Sequence, residues 1–159
     1  MSEPAKLVIF IVDDEETILT SLKNVLSFET DHEIHTFLSP LEALTKGEEL
    51  EIDMVISDYM MPDMDGLEYL LKVKEIKPDA IRILLTGYAD KENAIKAINE
   101  VGIYQYIEKP WNNDDLLLIV KNGLEKRLLI RDLKEKIDEL ENAFADLRGI
   151  RSKILKAFV

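Results

Sequence analysis

Apolar residues in this chain keep two different periods and alternate between them five times, and few folds accept that pattern. Leu7-Val8-Ile9-Phe10-Ile11-Val12 is a continuous apolar run closed by Asp13-Asp14-Glu15-Glu16. It reads as a strand buried on both faces. Ile18, Leu22, Val25 and Leu26 then fall at helical spacing. Residues 33–37 form a second strand, polar enough for a sheet edge. Ser39-Pro40 opens a helix, with Ser placed to cap it and Pro at the first helical position. Residues 53–57 are the third strand, and Leu67, Leu70 and Leu71 share one helical face after Gly66. Residues 80–85 are the fourth strand, following Lys77-Pro78-Asp79. Ala94, Ala97, Ile98 and Val101 mark the fourth helix. Residues 103–107 are the fifth strand, which Pro110 stops.

Five strand–helix repeats predict an α/β domain with a doubly wound, five-stranded parallel sheet. Such sheets bind ligands beyond the carboxyl ends of their strands. The first strand ends at Asp13-Asp14, the third at Asp58, the fourth at Thr86-Gly87 and the fifth just before Lys109-Pro110. Alone, each has an ordinary reading: an Asp at a strand end is a turn or cap residue, and a Lys there is a solvated charge. Together they fall at one end of one sheet.

Three carboxylates at one spot repel each other, at roughly 3 kcal/mol per pair for a spacing of about 5 Å and an effective dielectric near 20. Such a site must hold a proton or recruit a cation, and few, hard, partly hydrated oxygen ligands suit Mg²⁺. A metal, the Lys109 ammonium, the Thr86 hydroxyl and a nucleophilic Asp58 are what phosphoryl transfer to an aspartate needs. Gly87 keeps the approach open. His32 and His35 lie in or beside the second strand, away from the acids, and read as structural or surface residues.

Lys and Arg number 20 against 32 Asp and Glu, a formal net charge of −12. Nucleic acid rewards clustered basic residues, so proteins and cations are the expected partners and nucleic acid is not. The longest apolar runs are too short to span a bilayer. The N-terminus lacks the pattern of a secretory signal, so no membrane association and a cytoplasmic location are expected. There is no cysteine, which removes disulfides, thiolate zinc sites and Cys nucleophiles.

Val12-Asp13-Asp14-Glu15, Ser57-Asp58-Tyr59-Met60-Met61-Pro62-Asp63-Met64-Asp65-Gly66, Leu85-Thr86-Gly87 and Ile107-Glu108-Lys109-Pro110 together resemble the receiver domain of bacterial two-component response regulators. The resemblance is ordered, correctly spaced and covers about residues 5–125. It implies a flavodoxin-like (βα)5 fold and a phosphoacceptor signalling protein rather than an enzyme, apart from weak self-dephosphorylation. Asp58 would accept phosphate from a sensor histidine kinase. Asp13, Asp14 and Asp58 would hold Mg²⁺, with Asp14 and Asp58 as direct ligands, Asp13 often through water, and the main-chain carbonyl of Met60 contributing. Thr86 and Lys109 would contact the phosphoryl oxygens. Thr86 and Tyr106 would be the switch pair, signalling through helix 4, strand 5 and helix 5. The Lys109-Pro110 peptide would be cis. Met60 and Tyr88 occupy places that in the family tune the lifetime of the phosphorylated state. Met61 and Met64 read as packing under the loop, with an adaptable docking surface as the alternative.

Trp111-Asn112-Asn113-Asp114-Asp115 starts a last helix with capping residues and first-turn acids. In the family it would end near residue 125, yet no stop appears. Ile130, Leu133, Ile137, Leu140, Phe144, Leu147, Ile154 and Phe158 continue at alternating spacings of three and four, interrupted by Arg151. This is a heptad seam, so residues 126–159 read as a coiled-coil extension forming a parallel homodimer, with Lys136 and Glu141 as an opposite-charge g–e pair. Gly149 is a candidate end or kink. The extension is either itself the output or a linker to an output domain. The alternative is an amphipathic helix folded back on its own domain. A haloacid-dehalogenase-type phosphohydrolase would need a DxD motif after the first strand, which is lacking here. A flavodoxin-like cofactor binder would need a phosphate-cradling loop where this chain has four acids. A P-loop NTPase would need GxxxxGK[ST], which is absent.

Overall fold

The computed structural model describes residues 6–158, and the side chain of Tyr88 lies outside what it describes. Ala5, the expected start of the receiver, is likewise outside the described residues. The chain runs β1 (Val8–Val12), α1 (Glu16–Glu29), β2 (Glu33–Phe37), α2 (Pro40–Glu49), β3 (Met54–Asp58), α3 (Gly66–Ile76), β4 (Ile81–Thr86), α4 (Lys91–Ala97), β5 (Gln105–Glu108) and α5 (Asn113–Ala157). A single 3₁₀ turn, Tyr88–Asp90, precedes α4, and a π-helical turn, Ile98–Gly102, follows it. All strands pair in parallel, in the order β2-β1-β3-β4-β5. This is the doubly wound, flavodoxin-like order, whose direction switches between β1 and β3.

The burial pattern follows the sequence. β3 and β4 are buried at every position, whereas β2 at the edge is half-exposed. A core of Phe10, Val12, Val55, Tyr69, Leu70 and Leu84 is buried, and Met61 and Met64 pack against it, so packing is the role the structure gives them. Ser39 caps α2 as expected, its Oγ accepting the Leu41 N–H at 3.2 Å with Pro40 behind it. Asp65 caps α3, accepting the Glu68 N–H at 2.9 Å, a cap not anticipated from the sequence. Gly66 is needed because a Cβ there would collide with the main-chain oxygen of Asp58. Gly123 lets α5 lie against the sheet: a Cβ would sit 2.7 Å from the Met54 side chain.

The chain divides into one compact unit ending at Arg127 and a second from Leu128 onward. In the first, Leu116, Val120 and Leu124 of α5 are buried. In the second, Leu133, Ile137, Leu140, Phe144 and Leu147 are all exposed, Ile137 least at 44 %. Gly149 does not end the helix, which continues to Ala157. Good helix formers surround it, and one glycine costs only about 1 kcal/mol. No helix among the described residues is long and apolar enough to cross a membrane.

Candidate functional site

Strand register assembles the site. Val12 pairs with Ser57, so Asp13 and Asp58 are the next residues on adjacent strands. Asp58 pairs with Leu85, one residue before Thr86, and Thr86 pairs with Glu108, one residue before Lys109. Parallel strands in this register end level, and their last side chains converge. Asp58 lies within β3 as its final residue rather than just beyond it. Its strand hydrogen bonding continues one step further, with the Tyr59 N–H donating to Leu85 O at 2.9 Å.

Asp13 is fully buried and Asp58 nearly so, whereas Asp14 is exposed. Carboxylate oxygens of Asp13, Asp14 and Asp58 all lie within 4.8 Å of one another. Lys109 Nζ is 2.8 Å from Asp58 Oδ1 and donates to Asp13 Oδ2 at 3.0 Å. The lysine is aimed by its own backbone: its N–H donates to Thr86 O at 2.8 Å, and the Lys109-Pro110 peptide is cis, as the resemblance implied. Asp13 is held from the other side, where its Oδ1 accepts the Glu15 N–H at 2.8 Å. Among the described residues Thr86 Oγ1 is buried with no hydrogen-bond partner. A buried hydroxyl without a partner is costly and marks a place where an acceptor oxygen fits.

The electrostatics show one cation serving too many acids. Burial pushes the Asp13 carboxyl above the usual carboxylate range, and Asp58 adds to this against the Glu15 N–H and Lys109. Burial also raises Asp58, with Asp14 contributing and Lys109 opposing. For Lys109, burial disfavours the charge, but hydrogen bonds and attraction from Asp58 and Asp13 together outweigh it and hold the ammonium above its ordinary value. The donor set is all oxygen, without His or Cys. It fits a hard divalent cation of the Mg²⁺ kind.

The other expected residues fall around this centre. Met60 follows Asp58 by two residues and its side chain is exposed. Tyr106 sits on β5 opposite Leu84, half-buried against the core. Asp63 adopts φ +69° in the loop, which Asp tolerates better than most residues. His32 and His35 stand apart: His32 Nδ1 accepts the Leu7 N–H at 3.1 Å, and His35 pairs with Glu33 at 2.9 Å. The sequence reading missed Asp53. It is buried at the opposite end of the sheet, where it accepts the Val8 N–H at 2.8 Å and the Arg127 Nε–H at 2.9 Å. Seventy-four residues separate the two partners, and no local pattern signals such a pair.

Comparison with known proteins points one way. Residues 9–121 match the model of the response regulator receiver domain. The hydrogenase transcriptional regulatory protein HoxA of Cupriavidus necator is 34% identical over 147 residues, 92% of this chain. The chain spans about 30% of the length of that relative. Among solved structures, the signal receiver domain of an HD domain-containing protein from Pseudomonas fluorescens Pf-5 aligns with a TM-score of 0.77 and 36% identity. That alignment covers 83% of this chain and 96% of the other. A response regulator receiver domain protein from Clostridium thermocellum aligns with a TM-score of 0.73 and 36% identity, over 78% of this chain and 98% of that one.

Proposed function

Because the chain belongs to the response regulator receiver domain family of two-component systems, we propose that it is a phosphorylation-dependent switch taking a phosphoryl group onto Asp58 from a sensor histidine kinase. Receiver domains are phosphoacceptor signalling modules, and this one is read as a switch with slow self-dephosphorylation rather than as an enzyme. The observation that supports Asp58 is its place among three carboxylates within 4.8 Å, with an ammonium 2.8 Å from its oxygen.

In the proposed reaction an Asp58 oxygen attacks the phosphorus of the kinase phosphohistidine. A phosphorus–oxygen bond forms, the phosphorus–nitrogen bond breaks, and the imidazole leaves with the electron pair. Lys109 turns from the Asp58 carboxylate to a phosphoryl oxygen, and Thr86 Oγ1 donates to another. Asp13, Asp14, Asp58 and the main-chain carbonyl of Met60 would hold Mg²⁺, which when bound supplies positive charge against the acids and the phosphoryl oxygens. The new group carries about −1.5 to −2 charge. Thr86 moves toward it, Tyr106 turns inward, and the face of α4, β5 and α5 changes partner. Coupling of this kind is typically about 1–3 kcal/mol, so a small fraction is active without phosphate.

The receiver, residues 5–125, passes this change to the helical extension, residues 126–159. The extension acts as the output or as a linker and forms a parallel homodimer through Ile130, Leu133, Ile137, Leu140, Phe144 and Leu147. Isoleucine at a with leucine at d favours two strands, and Lys136 meets Glu141 of the second copy. The whole is placed in the cytoplasm. Intact mass after treatment with acetyl phosphate and Mg²⁺ tests the acceptor: wild type gains one phosphoryl group and Asp58→Asn gains none. Equal uptake by the variant removes Asp58 from its role. Light scattering of the full chain, against a version ending at Arg127, tests the dimer. If both are monomers with and without the phosphodonor, the dimer is excluded while the phosphorylation chemistry stands.

A further inference from the structure

The apolar seam of the extension does not keep one register. Ile130, Ile137 and Phe144 stand at a, and Leu133, Leu140 and Leu147 at d, with spacings alternating three and four. Continued unchanged, the next a position is Arg151. In a parallel dimer that would set two guanidinium groups against each other in the seam, while Ile150 would be left at a flanking g position.

Resting on the parallel dimer proposed above, we infer that the seam shifts register at Leu147, so that Ile150 rather than Arg151 faces the second copy. Three residues separate Phe144 from Leu147, and three more separate Leu147 from Ile150. The frame then resumes with Leu147 at a, Ile150 at d, Ile154 at a and Ala157 at d, all apolar. Two consecutive spacings of three overwind a coiled coil locally.

Two further features favour the shifted frame. The first is charge. In it Asp146 becomes a g position and Arg151 the following e position of the second copy. These side chains meet as an opposite-charge pair, in the same relation as Lys136 and Glu141. In the unshifted frame Asp146 is a c position facing solvent and has no such role. The second is the backbone. α5 is helical without a break through this segment, as either frame requires, and Ile150, which only the shifted frame puts in the seam, is about half exposed in the single chain; in exchange Ala157 replaces Phe158 in the seam. Gly149 lies inside the shifted stretch with nothing within 4 Å of where its Cβ would be. Glycine is the residue that most readily absorbs a change in helical winding.

The chain has no cysteine, so single cysteines report the register in an otherwise native background. Leu140→Cys, Ile150→Cys and Arg151→Cys are made in the full chain and mildly oxidised, with and without acetyl phosphate and Mg²⁺, and disulfide dimers are followed by non-reducing electrophoresis. Seam positions approach within disulfide reach, and flanking ones do not without backbone movement. Leu140→Cys and Ile150→Cys are expected to cross-link at similar rates, with Arg151→Cys roughly tenfold slower. Cross-linking at Arg151→Cys as fast as, or faster than, at Ile150→Cys overturns the shift and leaves the dimer intact. No cross-linking at Leu140→Cys removes the dimer and this inference with it. A second arm uses charge: Asp146→Arg weakens the dimer in sedimentation, and adding Arg151→Asp restores it. If Asp146→Arg has no effect, Asp146 is the solvent-facing residue of the unshifted frame.

Discussion

Strands β1 and β3 meet buried aspartates at both ends of the sheet, and the two ends treat the same side chain in opposite ways. At the amino end, Asp53 is 1 % exposed, with one oxygen on the Val8 N–H and the other on the Arg127 guanidinium. At the carboxyl end, Asp13 and Asp58 share a single ammonium, with Asp14 alongside. Burial is nearly the same at both. What differs is the local balance of charge. Asp53 faces the Arg127 guanidinium, whereas among the described residues three clustered acids stand against Lys109, held that way by strand register. A buried carboxylate facing a guanidinium can serve the fold, and carboxylates in excess of their cation have the charge to take a further one.

The largest expected effect breaks the matched end. Asp53→Ala takes the carboxylate away from the largely buried Arg127 guanidinium and from the Val8 N–H. Breaking a buried pair from one side costs about 3–5 kcal/mol, so urea denaturation should show a loss of that size. A loss below about 1 kcal/mol would mean that water reaches Arg127 freely and that the amino end is not the anchor described here. Next in size is the response of the unmatched end to metal. At 100 times its dissociation constant, Mg²⁺ should raise stability by about 2.7 kcal/mol, measured as an upward shift of the thermal midpoint. The two ends lie about 16 Å apart along β3, so the Mg²⁺ increment should be the same in any Asp53 variant that still folds, such as Asp53→Asn. Unequal increments would show that the ends are coupled.

Asp58→Asn should go the other way from Asp53→Ala. It removes one of three mutually repelling charges at the loss of a Lys109 contact, and without metal it should stabilise the domain by about 1 kcal/mol. Denaturation in the presence of a chelator checks the sign. Destabilisation there would mean that Lys109 balances the acids fully, leaving no electrostatic need for a second cation.

The two ends also differ in how far they could be read from the sequence. The convergence of Asp13, Asp58, Thr86 and Lys109 is legible in the sequence because each stands at or directly after a strand end, and strand ends are marked by an abrupt change from apolar to polar residues. Val12 to Asp13 and Ile107 through Lys109-Pro110 are of this kind. The parallel order then brings these ends together. Boundaries moved by a residue or two: β1 begins at Val8 rather than Leu7, and β5 runs Gln105–Glu108 rather than 103–107. Hydrogen bonds between strands set these limits, and hydrophobicity tracks them only approximately. In the sequence Asp53 is an ordinary strand residue, because its partner is on α5 and a long-range ion pair leaves no periodic trace. The π-helical turn Ile98–Gly102 was hidden for a related reason. Its apolar spacing satisfies an α-helix equally well, and Arg82 fixes its end through a bond from Nη2 to Gly102 O at 3.0 Å.

The smallest effect concerns pH, where the two ends should again oppose each other. At the amino end the Leu7 N–H donates to His32 Nδ1, which must be unprotonated to accept it. Burial lowers the His32 pKa below its ordinary 6.5, outweighing attraction from Asp53 and Asp31. The unfolded chain therefore takes up its proton at higher pH than the folded one. The His32 contribution is fully present above about pH 6.5 and is lost as pH falls through the lower, folded value. At the carboxyl end, Asp13 and Asp58 are raised by burial, so their contribution is present below pH 3.8 and is lost as pH rises through their folded values. Acidification should weaken the base of the sheet while relieving repulsion at its top. Asp13→Asn with Asp58→Asn silences the top. In that background the urea midpoint should fall between pH 7.5 and 5.5 by an amount worth less than about 1 kcal/mol. Adding His32→Gln should flatten this slope. If the slope survives the histidine's removal, the pH sensitivity of the base belongs to another group, and the Leu7–His32 bond is not what fixes the start of β1.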